Sequence, residues 1–341
     1  MIAFFQKIFG KKKFKIPYNE NVWGAHPDPI DSRDVPFEEI AGAVILPLAY
    51  NVLNEVNGTK VENQNGSLSC VGQSFAKYAE ILEKIETNGF KDLSAKFIYS
   101  RIYLPQGGSY LRDAAGVVCD LGVSEESLDP SYPNDEQSMR VKNVKPDVLD
   151  NALTYKAKGY ASIWHKDNVE IVKQAIYQNK GVVASFYGSD GGWQKALVTP
   201  PKPGQSVWGH AVYLIGWDEQ NRILFLNSWG EGWGNKGIGI LHPDYWTGGY
   251  AFSLWTLTDL PDNWRAITQM YKLVKNPENS GEIYAINNGA KRHIANYQTL
   301  VLGAKQLDKQ WQWQTGQEIP TATSAEWALP TADEIHIDPA D

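Results

Sequence analysis

Apolar residues recur along this chain with two different periods, and the point where one gives way to the other divides it. After Cys70, the residues Phe75, Tyr78, Leu82 and Ile85 fall at three- and four-residue steps. They therefore share one face of an amphipathic helix that begins at the cysteine. The stretch from Leu93 to Leu104 reads as a second helix, carrying Phe97, Ile98 and Ile102. A third runs from Tyr110 to Leu121 and is stopped by Gly122. The character changes near Lys156. One short helix follows, from Asn168 to Asn179, and the remaining runs are β-prone and bounded by Gly, Asn and Asp: 181–187, 208–217, 222–227, 236–241 and one near 250–257. Helices first and strands afterwards predict an α+β fold with segregated halves.

The flanks lack this regularity. Residues from about Ile16 to Leu46 are rich in Pro, Asp and aromatic residues and read as an extended arm. Asp259-Leu260-Pro261-Asp262-Asn263 reads as a boundary. Beyond it, Asn287-Asn288-Gly289 stands between two β-prone runs, 282–286 and 290–294, which is a hairpin signal. Trp311, Trp313 and Trp327 follow. This predicts a small β-containing C-terminal appendage, whose tryptophans read as its core in preference to a binding face for an unknown partner. The chain thus divides into an arm over 1–46, a main domain over 47–261 and an appendage over 265–341.

Composition narrows the chemistry. With 341 residues, 43% apolar and 21% charged, the chain can bury a sizeable core. A net charge of −7 and the lack of a basic stripe argue against nucleic acid as a partner. Two cysteines, Cys70 and Cys119, do not make a disulfide framework, and no zinc-type Cys/His spacing occurs, so no metal or cofactor is expected. There is no long apolar run of membrane-spanning length. In residues 1–15 the lysines follow the apolar part, the reverse of a secretory signal, so a cytoplasmic or otherwise non-classical location is expected. Ile2, Phe5 and Phe9 share a helix face in that stretch. It reads either as a weak membrane-surface contact or, preferably, as a segment that packs on the domain or frays.

Cys119 keeps the company of Ala114, Ala115, Val117, Val118 and Leu121, as a buried, inert thiol does. Cys70 is different. It follows a polar turn in which Ser67 and Ser69 are candidate caps. It also opens a helix, where unpaired N–H groups and the helix dipole favour a thiolate. A nucleophilic thiolate needs a base, and the base needs an orienting partner. His210 heads the apolar run that follows Trp208-Gly209, and Asn227 ends the next run, before Ser228-Trp229-Gly230 and Gly232-Trp233-Gly234. Gln64 lies six residues ahead of Cys70, and His210 and Asn227 lie 140 and 157 positions after it. In order, local context and separation this set resembles the papain-like (C1-type) cysteine peptidase family, over about residues 30 to 260.

The resemblance implies two lobes with a cleft between them, Cys70 on the helical wall and His210 and Asn227 on the β wall. It implies a peptidase acting on protein or peptide substrates through an acyl-enzyme. His210 would carry the proton, Asn227 would orient it, Gln64 would donate to the oxyanion beside the Cys70 N–H, and Trp229 would shield the Asn–His pair. Gly107 and Gly108 match a Gly-Gly pair that lines the cleft and pairs with the substrate backbone. Ser185 lies on the strand that usually walls the S2 pocket, and Gly209 stands where aspartate often precedes the histidine. Val71 and Leu68 also depart from the pattern, and Ser67 replaces a cysteine that many members pair in a disulfide. No long helical propeptide pattern precedes the domain, though the arm is placed to cover part of the cleft. Two alternatives remain: an amide acyl-transferase or narrow processing peptidase using the same residues, and a catalytically silent peptide-binding protein.

Overall fold

The computed structural model describes residues 23–31, 34–42, 44–132, 134–258, 272–279, 281–287, 290–294, 318–328 and 331. In chain order its main part contains β1 (Ala25–His26), α1 (Phe37–Ile40), β2 (Tyr50–Asn51), α2 (Cys70–Thr87), α3 (Ala95–Ile102), β3 (Ser109–Tyr110) and α4 (Leu111–Asp120). Then come α5 (Glu136–Met139), α6 (Pro146–Ala152), β4 (Gly159–Ser162), α7 (Val169–Asn179), β5 (Val182–Gly188), β6 (Leu197–Val198) and β7 (Trp208–Trp217). It ends with β8 (Ile223–Leu226), β9 (Ile238–Leu241), α8 (Asp244–Thr247) and β10 (Ala251–Thr258). The α+β expectation holds, and each long periodic segment becomes the element its pattern implied.

Helix α2 runs 18 residues and stops where Asn88 turns left-handed, at φ 58°. Ser69 takes the cap position, yet its side chain bonds no helix N–H. Its hydroxyl is 2.7 Å from that of Ser67, which donates to the Gln64 carbonyl. The two serines therefore brace the turn instead of capping the helix. Side-chain caps do start α3 and α7, where Ser94 accepts from the Phe97 N–H and Asn168 from the Glu170 N–H.

Apart from β1 and β3, which pair with each other, these strands form one sheet in the order β4-β10-β5-β7-β8-β9-β6, with β2 added on β7. Neighbours pair antiparallel except β6 and β9. Strand alternation sorts the two faces. On β7, Ala211, Tyr213 and Ile215 join Phe75, Tyr78 and Ile98 in the core shared with α2 and α3. Val212 and Leu214 face a second core built with α7, Phe37, Trp193 and Tyr245. Tyr78 stacks on Tyr213, with ring centroids 4.9 Å apart, so the helix that carries Cys70 is seated directly on the strand that carries His210.

The arm departs from a purely extended reading, because Phe37–Ile40 is helical and Phe37 is buried. In the C-terminal segment, β11 (Lys272–Lys275), β12 (Ile283–Asn287) and β13 (Ala290–His293) form an antiparallel sheet in which Asn287 pairs with Ala290. Trp327 meets Tyr284 edge-on and lies under Lys291. Residues 1–15, Trp311 and Trp313 lie outside the described residues. Among the described residues, no helix is long and apolar enough to cross a membrane.

Candidate active site

Cys70, at the head of α2, is buried. Its sulfur accepts from the backbone N–H of Ala211 at 3.4 Å, which ties α2 to β7 one residue beyond His210. Burial pushes the thiol up to about 12, while the N–H groups of Ala211, Val71 and Cys70 itself pull it the other way. The N–H groups at the helix start thus favour the anion, as expected, and desolvation opposes it. No hydrogen bond joins Cys70 to His210 among the described residues.

His210 is buried, and Asn227 Oδ1 lies 2.8 Å from its Nε2. The N–H of Ser228 donates to the same Oδ1 at 2.9 Å, so that atom is the amide oxygen and His210 Nε2 is the donor. Nδ1 is then left as the basic nitrogen. Burial pulls the imidazole down to about 4, against the opposing effect of Asn227. Trp229 stacks on the imidazole at 4.7 Å between centroids. Trp193 and Trp208 stand edge-on to it at 5.5 and 6.0 Å, two contacts that no sequence pattern signalled.

Gln64 reaches the site through a two-lobe stitch. Its N–H donates to the Ser228 carbonyl at 2.8 Å, and the Gly230 N–H donates to the Glu62 carbonyl at 2.8 Å. The side chain is held at both ends: Nε2 donates to the Ser67 carbonyl at 2.8 Å, and Oε1 accepts from the Ser228 hydroxyl at 2.6 Å. Ser228 is therefore a site residue that the sequence reading passed over. It stood inside the Asn-Ser-Trp-Gly motif, which was read only for its neighbours.

The arm runs through the cleft. A side chain on Gly24 would start 2.6 Å from Cys70 Sγ, so the bare Cα of Gly24 lies against the sulfur. Gly24 N–H donates to the Gly209 carbonyl at 3.1 Å, and Ser109 N–H donates to the Gly24 carbonyl at 3.2 Å. Strand β1 then pairs parallel with β3. Gly108 faces the Trp23 carbonyl, the Gly107 carbonyl is 3.0 Å from His26 Nε2, and Gly209 faces both the Trp23 ring and the Ala25 carbonyl. The three expected cleft glycines are thus brought together, with the arm as their occupant. Ser185 is buried on β5 and its hydroxyl has no hydrogen-bond partner among the described residues. Trp23 packs instead against Tyr187, two residues along β5, and Phe252 on β10.

One carboxylate cluster, Glu62, Glu80 and Asp92, brings oxygens within 4.8 Å of one another. Lys77 already bonds Glu62 and Glu80, and Lys60 bonds Glu62 and Asp92, so it is a compensated ion-pair network. Cys119 is buried on α4 in the helical core, as its neighbours implied.

Residues 47–244 match the family model described as papain family cysteine protease. A cysteine protease of Blomia tropicalis is 26% identical over 212 residues, which are 58% of this chain and 61% of that protein. Mexicain of Jacaratia mexicana is 29% identical over 182 residues, 52% of this chain and 80% of that protein. The chain thus spans less than two thirds of the first of these relatives. Among solved structures, xylellain, a cysteine protease from Xylella fastidiosa, superposes with a TM-score of 0.60 at 20% identity, covering 70% of this chain and 97% of that one. With its matched segment spanning more than half its length, this chain belongs to the papain family of cysteine proteases.

Proposed function

We propose that the chain is a cysteine peptidase that hydrolyses peptide bonds, with residues 47–261 as its catalytic unit. One observation carries the reading: the buried 2.8 Å bond between His210 Nε2 and Asn227 Oδ1, under Trp229, on the strand whose next N–H meets the Cys70 sulfur. With Nε2 committed to Asn227, Nδ1 of His210 is the nitrogen available to take the Cys70 proton. The thiolate attacks the substrate carbonyl carbon, and the oxyanion is met by the Cys70 N–H and Gln64 Nε2. The C–N bond breaks as His210 returns the proton to the leaving amine. Water, deprotonated by His210, then cleaves the thioester and regenerates the thiol. Gly107, Gly108 and Gly209 line the backbone path, Trp229 keeps water from the Asn–His pair, and Ser185 lies buried behind the Trp23 seat.

The test is incubation of the full chain and of its Gly24→Val variant with a denatured protein and, separately, with an epoxysuccinyl peptide followed by intact mass. Cleavage together with one adduct, both lost in Cys70→Ala, is the expected result. An adduct without cleavage of any protein or peptide would refute the peptidase reading.

A further inference from the structure

We infer that Trp208 and Asp190 form a subsite on the leaving-amine side of the cleft, and that it selects a basic side chain, Lys or Arg, in the substrate. The inference rests on the peptidase reading and names a feature of the substrate which that reading leaves open.

The side follows from what borders His210. One flank of the histidine is taken by the arm: Gly24 N–H donates to the Gly209 carbonyl, and the Trp23 ring lies against Gly209. Successive residues of a strand point to opposite faces, so Trp208 shares its face with His210 and not with Gly209. Its ring stands edge-on to the imidazole at 6.0 Å and to Trp229 at 5.9 Å, between centroids. Trp23 finds its ring neighbours elsewhere, in His26, Tyr187 and Phe252. A peptide whose acyl part follows Gly107, Gly108 and Gly209 must continue past His210, which protonates its amine. Trp208 then lies beside the residues that leave.

The choice of a basic side chain follows from the group bound to the indole. Trp208 is partly exposed and Asp190 is exposed. Trp208 Nε1 donates to Asp190 Oδ1 at 2.8 Å. Among the described residues no cation pairs with Asp190, so the rim of the cleft carries an uncompensated carboxylate next to a ring. Both are held in place. The indole rests on Gly188, where a Cβ would come 2.0 Å from the ring, and it meets Trp193 edge-on at 5.3 Å. The turn that carries Asp190 is closed by the Gly192 N–H on the Ser189 carbonyl at 2.9 Å, and Ser189 Oγ donates to Gln205 Oε1 at 3.0 Å. A ring face and a carboxylate attract the same group: a cation on a long apolar stem, whose charge reaches the carboxylate while the stem covers the indole. An acidic side chain is repelled there.

Internally quenched peptides that differ only in the residue after the scissile bond test this on the full chain and on Gly24→Val, with the cut located by mass. Lys or Arg is expected to exceed norleucine about fivefold or more in kcat/KM at low salt, and Glu to fall below it. The preference should shrink as salt is raised. Asp190→Lys is expected to bring the Lys-to-norleucine ratio to about twofold or less, and Trp208→Leu to lower it. The same peptides are titrated by calorimetry into the Cys70→Ala chain, a readout that needs no turnover. There Lys is expected to bind about fivefold or more tightly than norleucine, and Asp190→Lys to erase the difference. A ratio near one in the unaltered residues, or a ratio indifferent to Asp190→Lys, overturns the subsite. So does an equal change for both peptides, which would place Asp190 on His210 and not on the substrate. Tighter binding of the Lys peptide with no hydrolysis of any peptide leaves the subsite standing and sinks the peptidase reading instead.

Discussion

Ser228→Ala isolates the contribution of one hydroxyl. The substitution removes the donor to Gln64 Oε1, a 2.6 Å bond between two buried residues, and keeps the backbone N–H that holds Asn227 Oδ1. A neutral hydrogen bond is worth about 1 kcal/mol net, and an acceptor left bare inside costs about 1–3 kcal/mol. Gln64 is not set free altogether, because its Nε2 still donates to the Ser67 carbonyl. The expected fall in kcat is therefore about 5- to 50-fold, short of the roughly 10²–10³-fold cost of deleting an oxyanion donor. KM should hardly move, since the amide is used mainly in the tetrahedral state. The assay is a double-mutant cycle of Ser228→Ala, Gln64→Ala and the pair on one fluorogenic peptide, with folding checked by near-UV dichroism. If Ser228 acts by positioning Gln64, then Ser228→Ala costs about twofold or less once Gln64 is alanine. Additive losses, or a rise in KM at unchanged kcat, would show that Ser228 does something other than aim the amide.

Other outcomes follow from the same geometry. Cys70→Ala should abolish hydrolysis while Cys119→Ala, a change in the helical core, leaves it; equal loss in a folded Cys119→Ala protein would contradict the assignment. His210→Ala should cost about 10²–10⁴-fold in rate and Asn227→Ala less, because one carries the proton and the other orients it; steady-state rates of the folded variants decide the order. Stability should fall with acid. His210 is held neutral down to about 4, against an ordinary value of 6.5. Between those values the unfolded chain binds the proton and the folded chain does not. The contribution, about 3 kcal/mol at most, is therefore present above pH 6.5 and lost as pH falls toward 4. Urea midpoints at pH 7, 5.5 and 4.5 should show this loss, and His210→Gln should flatten it; an equally steep loss in His210→Gln would place the titration elsewhere.

The elements that were legible in the sequence are those long enough to show a period. Helix α2 begins at Cys70 and β7 spans 208–217, each where its pattern placed it. The elements that were missed are β1, β2, β3, β4, β6 and β11, of two to four residues, and the short helices α1, α5, α6 and α8. A run of two residues has no period to read, and such strands exist because a neighbouring edge offers hydrogen-bond partners. The same division runs through the site. Cys70, His210, Asn227 and Gln64 could be named because each sits in a local motif. Ser228 was hidden by its better-known neighbours, and Trp193 has no pattern at all.

The reading of Cys70 from its helix start left out burial, for a more instructive reason. The rule that a helix start favours a thiolate concerns a sulfur that water can reach. Here three glycines far apart in sequence fit backbone to backbone: Gly24 against the sulfur, Gly108 against the Trp23 carbonyl, and Gly209 against the Ala25 carbonyl. In the sequence Gly108 and Gly209 were legible only through the family resemblance and Gly24 not at all, because a glycine records only that a Cβ is absent and not what fills the space. Gly24 covers the sulfur and Trp193, Trp208 and Trp229 surround the imidazole, and burial raises the thiol to about 12 while the histidine drops to about 4. Both shifts favour the neutral pair over the ion pair that attacks a carbonyl. Gly24 of the arm is one of the groups that bury the nucleophile. Any substitution that lifts Gly24 off the sulfur should move accessibility and ionisation of Cys70 together.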